Sequence, residues 1–332
     1  MKEIVVIRLS SLGDVAMLVP VFLSFHQAYP DLKIRLITRE RFAPIFADLY
    51  FVSIHAIDSG QSKLSLGKLI HFAIQLSFSK PKFLLDLHDV LRTKVLRNFC
   101  RLFGSKVSII DKGRAEKKAL IAMNGDKSKV LKTTFQRYVD VFQNAGFPFE
   151  LQSIFLNKTE IKDHKKRIGI SPFAKHASKE YSFINTKLVI EKLANHLDFE
   201  ITIFGKGDRE ANIAKDLAAS SPNVKINIDT MNLTEELKLI SSLDLMVSMD
   251  SGNGHLAANY GIPVLTIWGT THPKLGFGTY SQPLTNSLFP DERIYPQLPV
   301  SVFGQNIPQD YERAIDSINV EDIYAKILQI LH

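Results

Sequence analysis

With 332 residues, 45% of them apolar and 23% charged, the chain is long enough for two ordinary domains and too apolar to be disordered. Its net charge of +7 favours an acidic partner, and charge alone does not choose among nucleotide phosphate, nucleic acid and an anionic lipid surface. Cys100 is the only cysteine, which excludes an intrachain disulfide and a cysteine-built zinc site and fits a reducing compartment.

The chain enters a strand at residues 4–7 without a leader-like segment, and no apolar run approaches the ~18 residues of a membrane span. A cytoplasmic location is therefore expected, with peripheral contact at the inner-membrane face left open. After Ile4-Val5-Val6-Ile7 come Arg8-Leu9-Ser10-Ser11-Leu12-Gly13-Asp14 and a helical pattern over 15–29. There is no G-x-G-x-x-G, which argues against a nicotinamide or flavin dinucleotide here. Asp14 either caps the helix or offers a carboxylate at the C-terminal end of a parallel strand, where open α/β sheets bind ligands.

Strand candidates at 34–38, 52–56, 83–87 and 107–110, separated by helical patterns, predict a doubly wound parallel sheet. Asp86-Leu87-His88-Asp89 ends one of them, so His88 is either a polar loop residue or part of the same ligand site. Residues 92–118 are markedly basic, beginning at Arg92. Within them Leu91, Val95, Leu96, Phe99, Leu102 and Phe103 recur at helical spacing, which predicts an amphipathic basic helix. That face is either simply solvated or drawn to a phosphorylated glycolipid or the anionic leaflet. No recognised nucleic-acid module accompanies it, so no nucleic-acid partner is expected.

A helix over 133–144 ends at Ala145-Gly146-Phe147-Pro148, and the charged stretch 158–166 reads as a linker before a second βα series begins at 167–171. The expected organisation is one domain over 1–157, a second over 158–318 and a closing helix from 319 to 332 that packs on either of them. In the second half, Pro172 to Tyr181 follows a strand, and Lys175 and Lys179 are rival cations in that loop. Glu200 to Phe204 precedes Gly205-Lys206-Gly207-Asp208-Arg209-Glu210, which opens a helix that Asp208 could cap; as a lone Gly-x-Gly it is a weak signal. The strand Leu245 to Met249 stops at Asp250-Ser251-Gly252-Asn253-Gly254, and a helix opens around His255. Two glycines allow close backbone approach, and the unpaired N–H groups of a helix start favour a phosphate. In the bland reading this is an ordinary βα junction capped by Asp250 or Ser251. Residues 277–308 read as loop.

Several of these stretches resemble one family. Asp250-Ser251-Gly252-x-x-His255-x-Ala257-Ala258 is similar to the D-[S/T]-G-x-x-H-x-A-A signature of the lipopolysaccharide heptosyltransferases, glycosyltransferase family 9. Arg8, Ser10, Gly13, Asp14 and Pro20 match its N-terminal R-x-S-x-x-G-D-x-x-x-x-x-P, Lys179-x-Tyr181 its K-x-W, and Gly269-x-Thr271-x-Pro273 its closing segment. The resemblance implies a GT-B fold: two Rossmann-like, doubly wound α/β domains facing across a cleft, the first for the acceptor and the second for the nucleotide sugar. It implies an inverting, metal-independent glycosyltransferase that moves heptose from ADP-heptose to inner-core lipopolysaccharide, with neither cofactor nor metal site. Asp14 would be the general base and Lys179 the cation at the leaving diphosphate. Ser178, Asp208, Glu210, Asp250, Ser251, Gly252, Gly254, His255 and Thr271 would face the donor; Arg8, Ser10, Gly13, His88 and Arg92 would face the acceptor. A UDP-sugar transferase or epimerase, and a catalytically idle sugar-nucleotide or lipid-binding protein, are the alternatives. Tyr181 in place of tryptophan, and His272, depart from the pattern at the donor side.

Overall fold

The computed structural model describes residues 3–58, 65–122, 126–161, 165–219 and 221–332; part of the charged linker, 162–164, lies outside them. The β-branched start forms β1 (Glu3–Ile7) and leads to α1 (Leu12–Ala16) and α2 (Leu18–Ala28). One continuous helix over 15–29 was expected; instead the helical ladder breaks at Met17. Pro20 supplies the reason, because it lacks an N–H and its ring crowds the carbonyl four residues back. β2 (Lys33–Thr38), β3 (Val52–Ala56), α3 (Leu66–Phe78), β4 (Phe83–Asp86), α4 (Leu91–Leu102) and β5 (Lys106–Ile109) follow. Next come α5 (Arg114–Ile121) and α6 (Thr134–Asn144), the latter begun by Thr133, whose side chain accepts from the Gln136 N–H.

The five strands form a parallel sheet in the order β3-β2-β1-β4-β5. Alternate residues of β1 point to opposite faces, and all of Ile4 to Ile7 are buried, so the sheet is covered on both sides. Val5 and Ile7 share a core with Leu69, Phe72 and Leu76 of α3 and Leu96 and Cys100 of α4. α2 and α6 meet through Phe22, Phe25 and Phe142, with ring centroids 4.9–6.4 Å apart.

The second sheet comprises β6 (Lys166–Ser171), β7 (Phe199–Gly205), β8 (Val224–Ile228), β9 (Leu245–Met249), β10 (Val264–Ile267) and the two-residue β11 (Ser287–Leu288). All are parallel, in the order β11-β10-β9-β6-β7-β8. Between them lie α7 (Phe183–Ala194), α8 (Asp208–Ala218), α9 (Leu233–Ile240) and α10 (Gly252–Ala258), and α11 (Val320–Leu331) ends the chain. α11 packs in this second unit, on α7: Lys192 pairs with Glu321 at 2.8 Å and Tyr324 meets the His196 ring nitrogen at 2.6 Å. Residues 277–308 were read as loop throughout, yet Leu288 closes the sheet edge, accepting the Trp268 N–H at 2.9 Å.

The chain divides into two compact units: Met1–Lys112 with Thr133–Phe155, and Gly113–Lys132 with Leu156–His332. The boundary expected at 157/158 thus gives way to one at 155/156, and the segment carrying α5 joins the second unit. Its physical anchor is apolar: Leu120 and Leu131 share a core with Leu275, and the Leu131 N–H donates to the Lys274 carbonyl at 2.9 Å. Among the described residues no helix is long and apolar enough to cross a membrane.

Candidate functional site

In each sheet the chain reverses its direction of winding at one place, between β1 and β4 in the first and between β6 and β9 in the second. Loops leaving adjacent strands on the two sides of such a point diverge and leave a crevice at the strand C-termini. Arg8, Ser10, Asp14 and His88 lie at the first of these places, and Lys179, Asp250 and Thr271 at the second.

At the first, Arg8 follows β1 and is almost fully buried. Its guanidinium donates to the Leu87 carbonyl at 2.6 Å, pairs with Asp14 Oδ2 at 2.6 Å and lies 5.7 Å from the Tyr138 ring centre. Asp14 is the third residue of α1, and its Oδ2 also accepts from the Ser11 N–H at 3.1 Å and the Ser11 hydroxyl at 2.6 Å. The carboxylate therefore serves the helix start and binds Arg8 with one oxygen, while Oδ1 has no hydrogen-bond partner among the described residues. Burial works to raise the Asp14 pKa, but Arg8 and the bonds from Ser11 outweigh it, and the group lies below the usual carboxylate range. Tyr138, from α6, donates to the Asp14 carbonyl at 3.1 Å and fixes α1 from the far side. Nothing in the local sequence pointed to this tyrosine, because it approaches from 124 residues away.

His88 comes from the loop after β4. Its Nδ1 accepts the Leu9 N–H at 3.4 Å, which places the ring proton on Nε2, facing the Ser10 hydroxyl at 3.4 Å. Burial, reinforced by the charges of Arg8 and Lys112, pushes its pKa down to about 3, so the ring is neutral. The loop is held by Asp86, whose Oδ1 accepts the N–H groups of His88 and Asp89 at 3.0 and 2.9 Å while Oδ2 binds Arg97 at 2.7 Å. Thus Arg8, Ser10, Asp14 and His88 are brought together, and Gly13 lies beside them in α1. Arg92 is exposed on α4, with no ion-pair partner among the described residues, and joins no cluster.

At the second place the central contact is between Lys179, in the loop after β6, and Asp250, which ends β9. The ammonium donates to the Asp250 carbonyl at 2.8 Å and to Oδ2 at 3.0 Å, and the Thr271 hydroxyl donates to the same Oδ2 at 2.8 Å. Lys179 and Asp250 are each 12% exposed at the side chain, so the pair sits at a shielded surface. Lys175, the rival cation, points into solvent. The Lys179 loop is pressed against the end of β10. A methyl group on Gly269 would lie 2.3 Å from the Ser178 carbonyl, so only glycine allows this approach. Ser178 is locked from both sides, accepting from the Thr270 hydroxyl at 3.1 Å and donating to the Gly304 carbonyl at 3.0 Å.

Asp250 does not cap α10, and neither does Ser251. The Asp250 carboxylate is drawn to Lys179 by a charge-assisted bond, and Ser251 occupies the cap position with its hydroxyl 3.1 Å from that of Ser248. No side chain caps the first turn of this seven-residue helix. Gly252 opens it, and a methyl on Gly254 would touch Ser248 and Val264 at 3.4 Å, so that glycine faces the sheet. His255 is its fourth residue and is buried.

The remaining donor-side candidates divide. Asp208 is exposed at the start of α8, whereas Glu210 turns back and accepts the Lys206 N–H at 2.7 Å. Burial raises the Glu210 pKa above the usual value. The N–H of Gly207, just before the helix, is taken by Asp229, a residue the sequence reading did not single out. Tyr181 is turned into the core, where burial pushes its pKa up to about 12 and its hydroxyl donates to the Ile318 carbonyl. It therefore anchors the C-terminal segment. His272 stacks on Phe289 at 4.5 Å, its Nδ1 accepts the Lys274 N–H at 3.0 Å, and burial lowers its pKa to about 4. Among the described residues no three His, Cys, Asp or Glu side chains gather closely enough to hold a metal ion.

Against known proteins, the profile of glycosyltransferase family 9 (heptosyltransferase) matches residues 97–298, which include Lys179, Asp250 and Thr271. No curated protein sequence matches the chain. Among solved structures it is similar to the Escherichia coli heptosyltransferase WaaC with ADP, at 18% identity and TM-score 0.72 over 99% of each chain. A family 9 glycosyltransferase from Veillonella parvula matches at 16% identity and TM-score 0.76, over 99% of this chain and 97% of that one. E. coli ADP-heptose lipopolysaccharide heptosyltransferase II matches at 15% and 0.73, over 100% and 98%. At such identities the likeness carries the two-domain, Rossmann-like α/β fold.

Proposed function

The chain belongs to glycosyltransferase family 9, and on that premise we propose that it transfers heptose from ADP-heptose to the inner core of lipopolysaccharide, with inversion and without a metal ion. The observation that carries the donor half is the Lys179 ammonium fixed at the second switch point by Asp250, beside Thr271. A cation held there neutralises the diphosphate as it departs, the electrostatic task a divalent ion performs in other transferases. E. coli WaaC, a structural relative, holds ADP.

In the proposed reaction the acceptor hydroxyl oxygen attacks the anomeric carbon from the face opposite the diphosphate. The new C–O bond forms as the bond to the diphosphate breaks, and that electron pair leaves on the phosphate oxygen. Asp14 Oδ1 takes the hydroxyl proton. Arg8 keeps the carboxylate ionised and oriented, which suits a base that must be deprotonated on arrival and acts as the hydroxyl acidifies during attack. Neutral His88 and Ser10 offer hydrogen bonds to a polyhydroxyl acceptor.

Calorimetric titration with ADP, UDP and GDP, each with and without Mg²⁺, tests the donor assignment. ADP preference unaffected by Mg²⁺ supports it; UDP preference keeps the transfer chemistry and discards heptose. Absence of binding by all three at millimolar ligand refutes the diphosphate site.

A further inference from the structure

The outer face of α3 and α4 carries a pattern that the core does not require. On α3, Leu69, Phe72, Ala73 and Leu76 fill the core, as an amphipathic helix demands. Yet Ile70, Ile74 and Phe78, spaced four residues apart, form a second apolar stripe that points outward, and Phe78 is 67% exposed. At the end of α4, Leu102 is 82% exposed, and Phe103 beside it reaches back to the Phe78 ring at 5.8 Å. The two helices thus present one continuous apolar rim at their C-terminal ends.

Cations surround it. Lys80 and Lys82 lie between α3 and β4, Arg101 on the last turn of α4 and Lys106 at the start of β5, all exposed; Lys82 and Lys106 flank the Phe83 ring at 5.6 and 5.9 Å. Counter-charge is scarce. From residue 65 to 110 the acids are Asp86 and Asp89 alone, at the opposite end of β4 and both bound by Arg97. Glu3, at the near end, is paired with Arg35 at 2.7 Å.

We propose that this rim docks the protein onto an anionic lipid bilayer, with Phe78, Leu102 and Phe103 entering the interface and Lys80, Lys82, Arg101 and Lys106 facing the headgroups. Exposed aromatic and leucine side chains ringed by cations that have no ion-pair partner among the described residues match a surface that is apolar within and negative outside. A second copy of the chain would bring like charges together, and nucleic acid would leave the apolar rim unused. The assignment stands on this surface and not on the donor sugar or the acceptor.

Flotation with phosphatidylglycerol–phosphatidylcholine vesicles, against phosphatidylcholine alone, tests it on the full chain. The parent is expected to float with the anionic vesicles and to be released by salt. Phe78→Ser with Leu102→Ser, and separately Lys80→Gln with Lys82→Gln, should abolish or weaken flotation, the lysine pair by roughly fivefold per charge. Unchanged thermal unfolding midpoints in these variants confirm that they fold. The proposal is overturned if the parent ignores anionic vesicles at low salt, if the variants float as well as the parent, or if the Leu102→Ser change instead dissociates a dimer.

Discussion

Replacing Lys179 with alanine probes the donor site through a count of hydrogens. An ammonium has three N–H donors, and two are committed to Asp250, at 2.8 and 3.0 Å, which leaves one to reach a diphosphate. A single hydrogen bond to a charged group contributes about 1.5–3 kcal/mol, so ADP binding should weaken roughly 10- to 150-fold. The fold should survive, because Thr271 still donates to Asp250 Oδ2 at 2.8 Å and the carboxylate is not left stranded. Calorimetric titration of the parent, Lys179→Ala and the exposed control Lys175→Ala with ADP reads the effect. Equal affinity in the parent and Lys179→Ala, with the variant folded, would refute the assignment, as would a loss confined to Lys175→Ala.

Other substitutions separate the remaining roles. Asp14→Asn should bind ADP as the parent does while turnover falls about 10²- to 10⁴-fold, measured by product formation on a lipopolysaccharide core acceptor. Gly269→Ala forces a methyl to 2.3 Å from the Ser178 carbonyl, so the Lys179 loop must shift; thermal unfolding should register a loss of about 1–3 kcal/mol, with weaker ADP binding. His88 is held neutral down to about pH 3 in the fold but protonates near pH 6.5 once unfolded. Its contribution is therefore complete above pH 6.5 and declines as pH falls toward 3, by up to about 1.4 kcal/mol per pH unit. Denaturant midpoints across that window should show the slope, and His88→Asn, which preserves an acceptor for the Leu9 N–H, should flatten it.

Strands were the most legible part of the chain because buried parallel strands announce themselves locally: Leu245 to Met249 was bounded correctly from its apolar run and abrupt polar stop. The switch points were not legible, since nothing in the chain before Asp250 says that β9 will lie beside β6. Proximity of Lys179 to Asp250 was likewise hidden, although each residue stood out in its own motif. Where two local chemistries competed, the sequence could name both but not rank them. Asp250 had the composition of a helix cap, and a cation from 71 residues upstream claimed it instead. Tyr138, Asp229 and the Gly304 carbonyl escaped notice because their roles arise from neighbours far away in the chain.

The chain passes between its two units three times, at 112/113, 132/133 and 155/156, so neither is a continuous length of polypeptide. During synthesis the first sheet is complete once β5 emerges, yet α6, whose Phe142 and Tyr138 seal α2 and α1, appears only after the α5 segment has been made. That segment then waits for Leu275, more than a hundred residues later, before its own apolar face has a partner. A fragment cut at 157 would carry Leu120 and Leu131 with nothing to cover them, and the complementary fragment would expose Leu275. Any division of the chain that keeps this small core intact must therefore leave residues 113–132 with the second unit.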